Sequence, residues 1–328
     1  MLSRTAENIY WFGRYLQRAE NTARLVNVQA YLSLDLPRRV PLSWGSLVDI
    51  LGAGELFAGR YDSPGEAEVA HFIIADERFT GSLRSTLDAA RENLRATRET
   101  LPSDIWEKLN ELHAMVIARG NSVAYRRVRT DLLREVIEGC LTIMGMLVNN
   151  MSRGTGFQFL RLGMALEQAD MTTRIVDARS GGMVPDGETD ELAPIRATQW
   201  MSVLKSLHAY QMYRRQQRTR VTGPRALAFL LHDPTFPRSV AFSLWSMQQT
   251  LPRLPEHPEL RQALDAAVQL VAGADVRALL VDDDDSALGR MLDDIQLALG
   301  RVHEGIDACF FQRQTQQQAL ENAETTDA

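Results

Sequence analysis

Cysteine is almost missing from this chain, with only Cys140 and Cys309 in 328 residues. Two cysteines cannot build a disulfide scaffold or a cysteine-rich metal cluster. Both sit among apolar neighbours and read as small core residues, because a reactive thiol needs a cationic, exposed setting. Long apolar runs are missing too, and none approaches the ~20 residues that span a bilayer. The N-terminus has no basic segment followed by an apolar one, so no secretory signal is expected and a cytoplasmic setting is. A formal charge of -6 speaks against a general nucleic-acid binder, since phosphate binding needs concentrated lysine and arginine. No alternating run reads as a strand. No phosphate-cradling glycine loop, Ser-His-Asp order or Cys-His arrangement stands out. Glu68-Val-Ala-His71 is the one Glu-x-x-His spacing, and a carboxylate-bridged di-metal bundle wants two. No metal or other cofactor is therefore expected. Asp282 to Asp285 lacks the glycine and distal glutamate of a calcium loop and reads as an acidic cluster ahead of a helix.

What the chain does have is helical periodicity nearly throughout, which makes the fold class all-α. The spacing predicts a helix opened by Ser3, running to about residue 34 and stopped by Pro37. Further helices are expected over about 44–51, 66–75, 82–101, 104–119, 123–151 and 155–179. Others follow over about 196–219, 224–231, 237–251, 257–272 and 286–318. Residues 52–64 and 180–194 read as glycine-bearing loops, and 319–328 as a flexible tail.

Two of these helices share a register. Over an offset of 150, Gly13, Leu16, Gln17, Ala19 and Glu20 meet Gly163, Leu166, Glu167, Ala169 and Asp170. Thr22, Arg24 and Val26 then meet Thr172, Arg174 and Val176. The match extends further: Trp44-Gly-Ser-Leu47 aligns with Trp200-Met-Ser-Val203, and Phe72 to Ser82 with Phe229 to Ser239. In the latter pair the phenylalanines would anchor a corner, the aspartate close the turn and the serine cap the next helix. A register held over four helical turns implies an internal duplication. Residues 1–150 and 151–318 are then two tandem repeats, packed into one body about a pseudo-twofold axis.

At 100° per residue, positions 17, 20 and 24 fall within an arc of roughly 60°, as do 167, 170 and 174. The polar stripe, Gln17, Arg18, Glu20, Arg24, Glu167, Asp170 and Arg174, therefore borders the core-facing side. Gly13 and Gly163 lie on the same arc and predict close approach of another helix or a ligand. One reading of the stripe is a salt-bridged seam, with Glu20–Arg24 and Asp170–Arg174 as local pairs. The other is a crevice that binds an amino-acid or peptide group, since arginine forks suit carboxylates and carboxylates suit ammonium. Arginine clusters at 91–98, 126–129 and 214–220 read as solvated faces able to dock an acidic partner.

These two stretches resemble the bacterial alpha-E family, an all-helical domain named for a Glu-Arg dipeptide. The pattern, Gly-Arg-x-Leu-Glu-Arg-Ala-Glu/Asp with a following Arg, is present in two imperfect copies. The first reads Gln17-Arg18 and keeps the arginine; the second reads Glu167-Gln168 and keeps the glutamate. The resemblance takes in nearly the whole chain, including Leu2 to Asn8 and Phe236 to Phe242. It implies association with a circularly permuted ATP-grasp ligase, with transglutaminase-like and proteasome-like peptidases also in such neighbourhoods. The first functional expectation is then a non-catalytic subunit that binds the ligase or its peptide substrate. The second is an enzyme whose stripe carboxylates do acid-base work on a peptide or amino acid in the inter-repeat crevice.

Overall fold

The structure, a computed structural model, describes residues 1–35, 43–180, 193–281 and 287–312. The expected stop at Pro37, most of the 180–194 loop, Asp282 to Asp285 and the tail 319–328 lie outside these residues. The helices are α1 Ser3–Asp35, α2 Gly45–Ile50, α3 Gly54–Ala58, α4 Glu66–Ala75, α5 Leu83–Thr97, α6 Ser103–Gly120, α7 Arg126–Asn150 and α8 Thr155–Ser180. They continue as α9 Ala193–Ser206, α10 Tyr210–Gln216, α11 Gly223–His232, α12 Val240–Thr250, α13 Pro258–Ala272, α14 Ala278–Val281 and α15 Ala287–Ile306. A π-turn, Asp307–Gln312, ends the described chain. No strand occurs among the described residues, so the chain is all-α.

The helix ends follow local chemistry. Ser82 accepts a bond from Ser85 N and Ser239 from Phe242 N, capping α5 and α12. Asp76 and Asp233 close the preceding turns by accepting from Arg78 N and Thr235 N. Phe72 stacks on Phe79 at 4.5 Å, and Phe229 packs on Phe236 at 4.8 Å.

Two expectations need correction, besides the short helix α3 that forms within the expected 52–64 loop. The helix over 196–219 is in fact two, α9 and α10, because His208 takes the left-handed region at φ 53. His208 N donates to Lys205 O and Ala209 N to Leu204 O, the pair of bonds that closes a helix in a Schellman turn. The same two bonds close α2, from Gly52 N to Asp49 O and Ala53 N to Val48 O, with Gly52 at φ 64. Glycine announces such a stop; histidine does not. The second correction concerns the basic cluster at the start of α7. Arg129 is fully buried, donates to Val123 O and Glu66, and lies 5.3 Å over the Trp44 ring, while Arg126 donates to Ala30 O of α1. Arg129 therefore holds elements together and does not face solvent, whereas Arg126 and Arg127 stay exposed, as a solvated face would be.

The long helices α1 and α8 form the axis of the molecule. They pack on each other, α1 also on α5, α7 and α9, and α8 on α12, α15 and α2. One contiguous apolar core joins them, from Ile9 and Leu16 through Leu166 and Ile175 to Leu292 and Phe311. Cys140 and Cys309 are both buried in it, as their neighbours in sequence imply.

Candidate functional site

The closest backbone approach in the axis is made by two glycines. A Cβ on Gly13 would lie 2.7 Å from Leu160 O, and one on Gly163 would lie 2.1 Å from Tyr10 O. Any side chain there would push the helices apart, so α1 and α8 cross in contact only because both positions are glycine.

This closeness brings the stripe residues of the two helices together. Glu167 is fully buried on α8 and is gripped from α1 by two arginines. Arg14 Nε donates to its Oε2 at 2.8 Å; Arg18 donates Nε to Oε1 at 2.5 Å and Nη2 to Oε2 at 2.9 Å. Burial pushes the Glu167 carboxyl up, but Arg14 and Arg18 more than reverse this and hold it below the usual carboxylate range. One residue along, Gln17 Nε2 donates to Gln168 Oε1 at 2.7 Å. Arg14 was not in the sequence-derived set, although it occupies the arginine of the Gly-Arg pattern and lies one turn before Arg18.

Glu20 is also fully buried. Arg24 donates to it from the next turn, and Arg238, just before the α12 cap, places Nη2 at 2.9 Å from both of its oxygens. Arg238 Nη1 reaches Asn21 Oδ1 at 2.6 Å. Here too burial raises the carboxyl, and Arg238 and Arg24 bring it below its ordinary value. Arg24 Nη1 donates to His208 Nδ1 at 3.3 Å. Burial lowers the His208 pKa, and Arg24 and Arg238 lower it further, so the ring is a neutral acceptor near pH 7. Glu20 and Arg24 are thus covered by side chains from the far end of the sequence.

Asp170 and Arg174 are treated differently. Arg174 Nε donates to Asp170 Oδ2 at 2.8 Å, but the side chains keep 36% and 16% exposure, in that order. Among the described residues no hydrogen bond engages Asp170 Oδ1 or the Nη groups of Arg174. Both residues line a cavity of about 390 Å³, with Arg18, Gly52 and Gly81 on its walls and Glu167 at its base. A second cavity, of about 660 Å³, is lined by Gln17, Gln168 and Arg238 and by the apolar Leu160, Met164 and Phe242; none of the three stripe carboxylates lines it. Of the stripe, then, Arg18, Asp170 and Arg174 line the first cavity with partly exposed groups, while Gln17, Glu20, Arg24 and Glu167 are buried and paired, Gln17 and Glu167 at cavity walls.

The profile of a family described as a predicted alpha-helical domain with a conserved ER motif matches residues 1–311. The chain belongs to the alpha-E family. In this member the glutamate and arginine at the two dipeptide positions come from different helices, Glu167 and Arg18, and meet across the glycine crossing. The chain is 25% identical to an uncharacterized protein of Mycobacterium bovis over 270 residues, and 24% identical to one of Mycobacterium tuberculosis over 270. Each match takes in 77% of this alpha-E chain but 30% of the relative, so the chain spans about a third of the length of the curated relatives it matches. No solved structure matches it. Among the described residues no helix is long and apolar enough to cross a membrane.

Proposed function

We propose that this alpha-E chain is a duplicated, non-catalytic binding subunit that works beside an ATP-grasp-type ligase in making or processing small peptides or amides. What carries the reading is the contrast within the stripe. Two of its three carboxylates, Glu20 and Glu167, are fully buried, doubly paired with arginine and held ionised. A general acid or base needs a pKa near the working pH, and the paired arginines hold both carboxyls below their ordinary range. The remaining pair, Asp170–Arg174, faces a cavity with donors and an acceptor that no hydrogen bond among the described residues engages, which is equipment for holding a ligand. The acid-base enzyme therefore has less support than the binding subunit.

The duplication is part of the proposal. Under an offset of 150, the contact Gln17–Gln168 exchanges with Glu167–Arg18, and Gly13–Leu160 with Gly163–Tyr10, as pairs around a twofold axis must. The two Schellman turns and the two serine caps repeat at offsets of 156 and 157. Residues 1–150 and 151–318 are the units we assign. The partnership draws support from the family resemblance and from the mycobacterial relatives, in which the matching region is 30% of a longer chain. That proportion is expected of a module working next to other activities. Transglutaminase-like and proteasome-like peptidases are further partners on this reading.

The test is co-expression with an ATP-grasp ligase encoded alongside the chain, followed by gel filtration and product analysis with and without it. Co-elution and a product that depends on the chain are expected. Full product formation by the ligase alone would overturn the subunit role, and turnover by this chain alone would reinstate the enzyme.

A further inference from the structure

The two halves of the proposed duplication use the same turns but hang different side chains over the long helices. Over α1, the left-handed position after α9 carries His208, which accepts from Arg24, and the residue before the α12 cap is Arg238, which covers Glu20. Over α8, the left-handed position after α2 is Gly52, and the residue before the α5 cap is Gly81. A Cβ on Gly52 would fall 3.7 Å from Arg174 Nη1, so the missing side chain is one that would have lain over that guanidinium. Two absent side chains leave the cavity of about 390 Å³, and among the described residues two groups inside it keep the bonding capacity that His208 and Arg238 satisfy in the other half.

The sealed half thus displays the chemistry the open half lacks. Glu20 takes a cation, and its partner Arg24 takes a neutral or anionic acceptor. Asp170 and Arg174 are the matching carboxylate and arginine. We propose that the cavity binds a small zwitterion, an α-amino acid, with its ammonium group on Asp170 and its carboxylate on Arg174 and Arg18. An ammonium fits Asp170 better than a second guanidinium would. Arg238 uses Asn21 as an additional acceptor, whereas the position matching Asn21 is Met171, which lines the cavity with no strong acceptor. An ammonium has three donors to satisfy where guanidinium has five. Arg18 donates to Glu167 through Nε and Nη2, leaving Nη1 for the ligand. Leu51, Leu56 and Phe79 line the cavity and suit an apolar side chain. Its volume is at the small end of the ~300–1,000 Å³ of small-molecule sites.

This proposal rests on the binding role and the duplication proposed above, and it is tested without the ligase. The full chain is titrated calorimetrically with L-leucine, acetate and ethylammonium, and its melting curve is followed with each. L-leucine is expected to bind at least about tenfold more tightly than either half-ligand, one factor of ten being ~1.4 kcal/mol. Asp170→Asn should weaken L-leucine by a similar factor while keeping the melting temperature. Gly81→Arg should place a guanidinium over Asp170, as Arg238 does over Glu20, and abolish binding. A Cβ at Gly81 meets the Phe79 ring at 2.6 Å, so that ring must turn aside. Should this variant not fold, Asp170→Asn decides. Acetate matching L-leucine would overturn the ammonium subsite. Undiminished binding to Asp170→Asn, or no binding by the parent chain at millimolar ligand, would overturn the site. L-leucine binding without ligase co-elution removes the partnership and leaves the site; co-elution without binding does the reverse.

Discussion

Glu167 shows how a single side chain decides between catalysis and structure. Its carboxylate is fully buried in the crossing, where ionisation is tolerable only because Arg14 and Arg18 supply three charged hydrogen bonds. Glu167→Gln removes the charge and strands two guanidinium groups against a neutral amide. Breaking a buried ion pair costs roughly 3–5 kcal/mol, so a marked drop in the urea midpoint is expected, and an unchanged midpoint would refute the seam. Acid should act through the same groups. Glu20 and Glu167 have depressed pKa values, so their stabilisation is fully present above the unfolded carboxyl range, about 4.3, and is lost as pH falls through the folded values. His208 and His303 work at higher pH. Burial lowers both, so the unfolded chain takes up their protons first and stability begins to fall below about pH 6.5. His208→Asn keeps a residue that tolerates the left-handed turn. Its melting temperature should decline less than that of the parent chain between pH 7 and 5; equal slopes would exclude His208 as a source.

At the scale of the helix, glycines that look alike in sequence have opposite roles. A methyl on Gly163 would collide with the Tyr10 carbonyl and crowd Arg14 N, both backbone atoms that move only if α1 moves. Gly145, on α7, has nothing within 4 Å of its Cβ position. Gly163→Ala should therefore destabilise by about 3 kcal/mol through overpacking, despite the better helix propensity of alanine. Gly145→Ala should stabilise by up to ~1 kcal/mol. Denaturant melts of the two variants give the answer, and equal shifts in both would show that the crossing can slide apart. Gly139 falls between them, since the atoms nearest its Cβ position belong to the Leu112 side chain, at 2.4 Å, and a side chain can turn aside where backbone cannot. The same contrast appears at helix ends, where Gly52 and His208 occupy the same turn and only the histidine fills the space above its neighbour.

For the whole molecule, the consequence of the α1–α8 axis is that neither half can be removed cleanly. Tyr10, near the start of α1, donates to or accepts from His303 Nδ1 at 2.9 Å and packs on Phe311 at 5.5 Å, close to the far end of the described chain. Arg238 reaches back across 218 positions to Glu20. A single calorimetric transition is expected, with equal calorimetric and van't Hoff enthalpies. Residues 1–150 expressed alone should not fold, because α1 would lose α8 along its length, strip Tyr10 of His303 and Phe311 and leave Arg14 and Arg18 without Glu167. Two resolved transitions would show that the proposed repeats are independent domains.

Periodicity, serine caps and turn aspartates are properties of a few neighbouring residues, which is why nearly every helix, both phenylalanine corners and the all-α class could be read from the sequence. The local pairs Glu20–Arg24 and Asp170–Arg174 were legible for the same reason, being one helical turn apart. What held Glu167 was not legible by such rules, because its partners lie about 150 residues away and reach it only through a backbone contact that Gly13 and Gly163 permit. The stop at His208 was hidden because packing beside Arg24 places a non-glycine residue in a conformation that local preference disfavours. Only the tertiary structure separated a sealed carboxylate–arginine pair from an open one. Glu20–Arg24 and Asp170–Arg174 are near-identical as sequence, and they differ because the folded chain brings Arg238 and His208 over the first and Gly81 and Gly52 over the second.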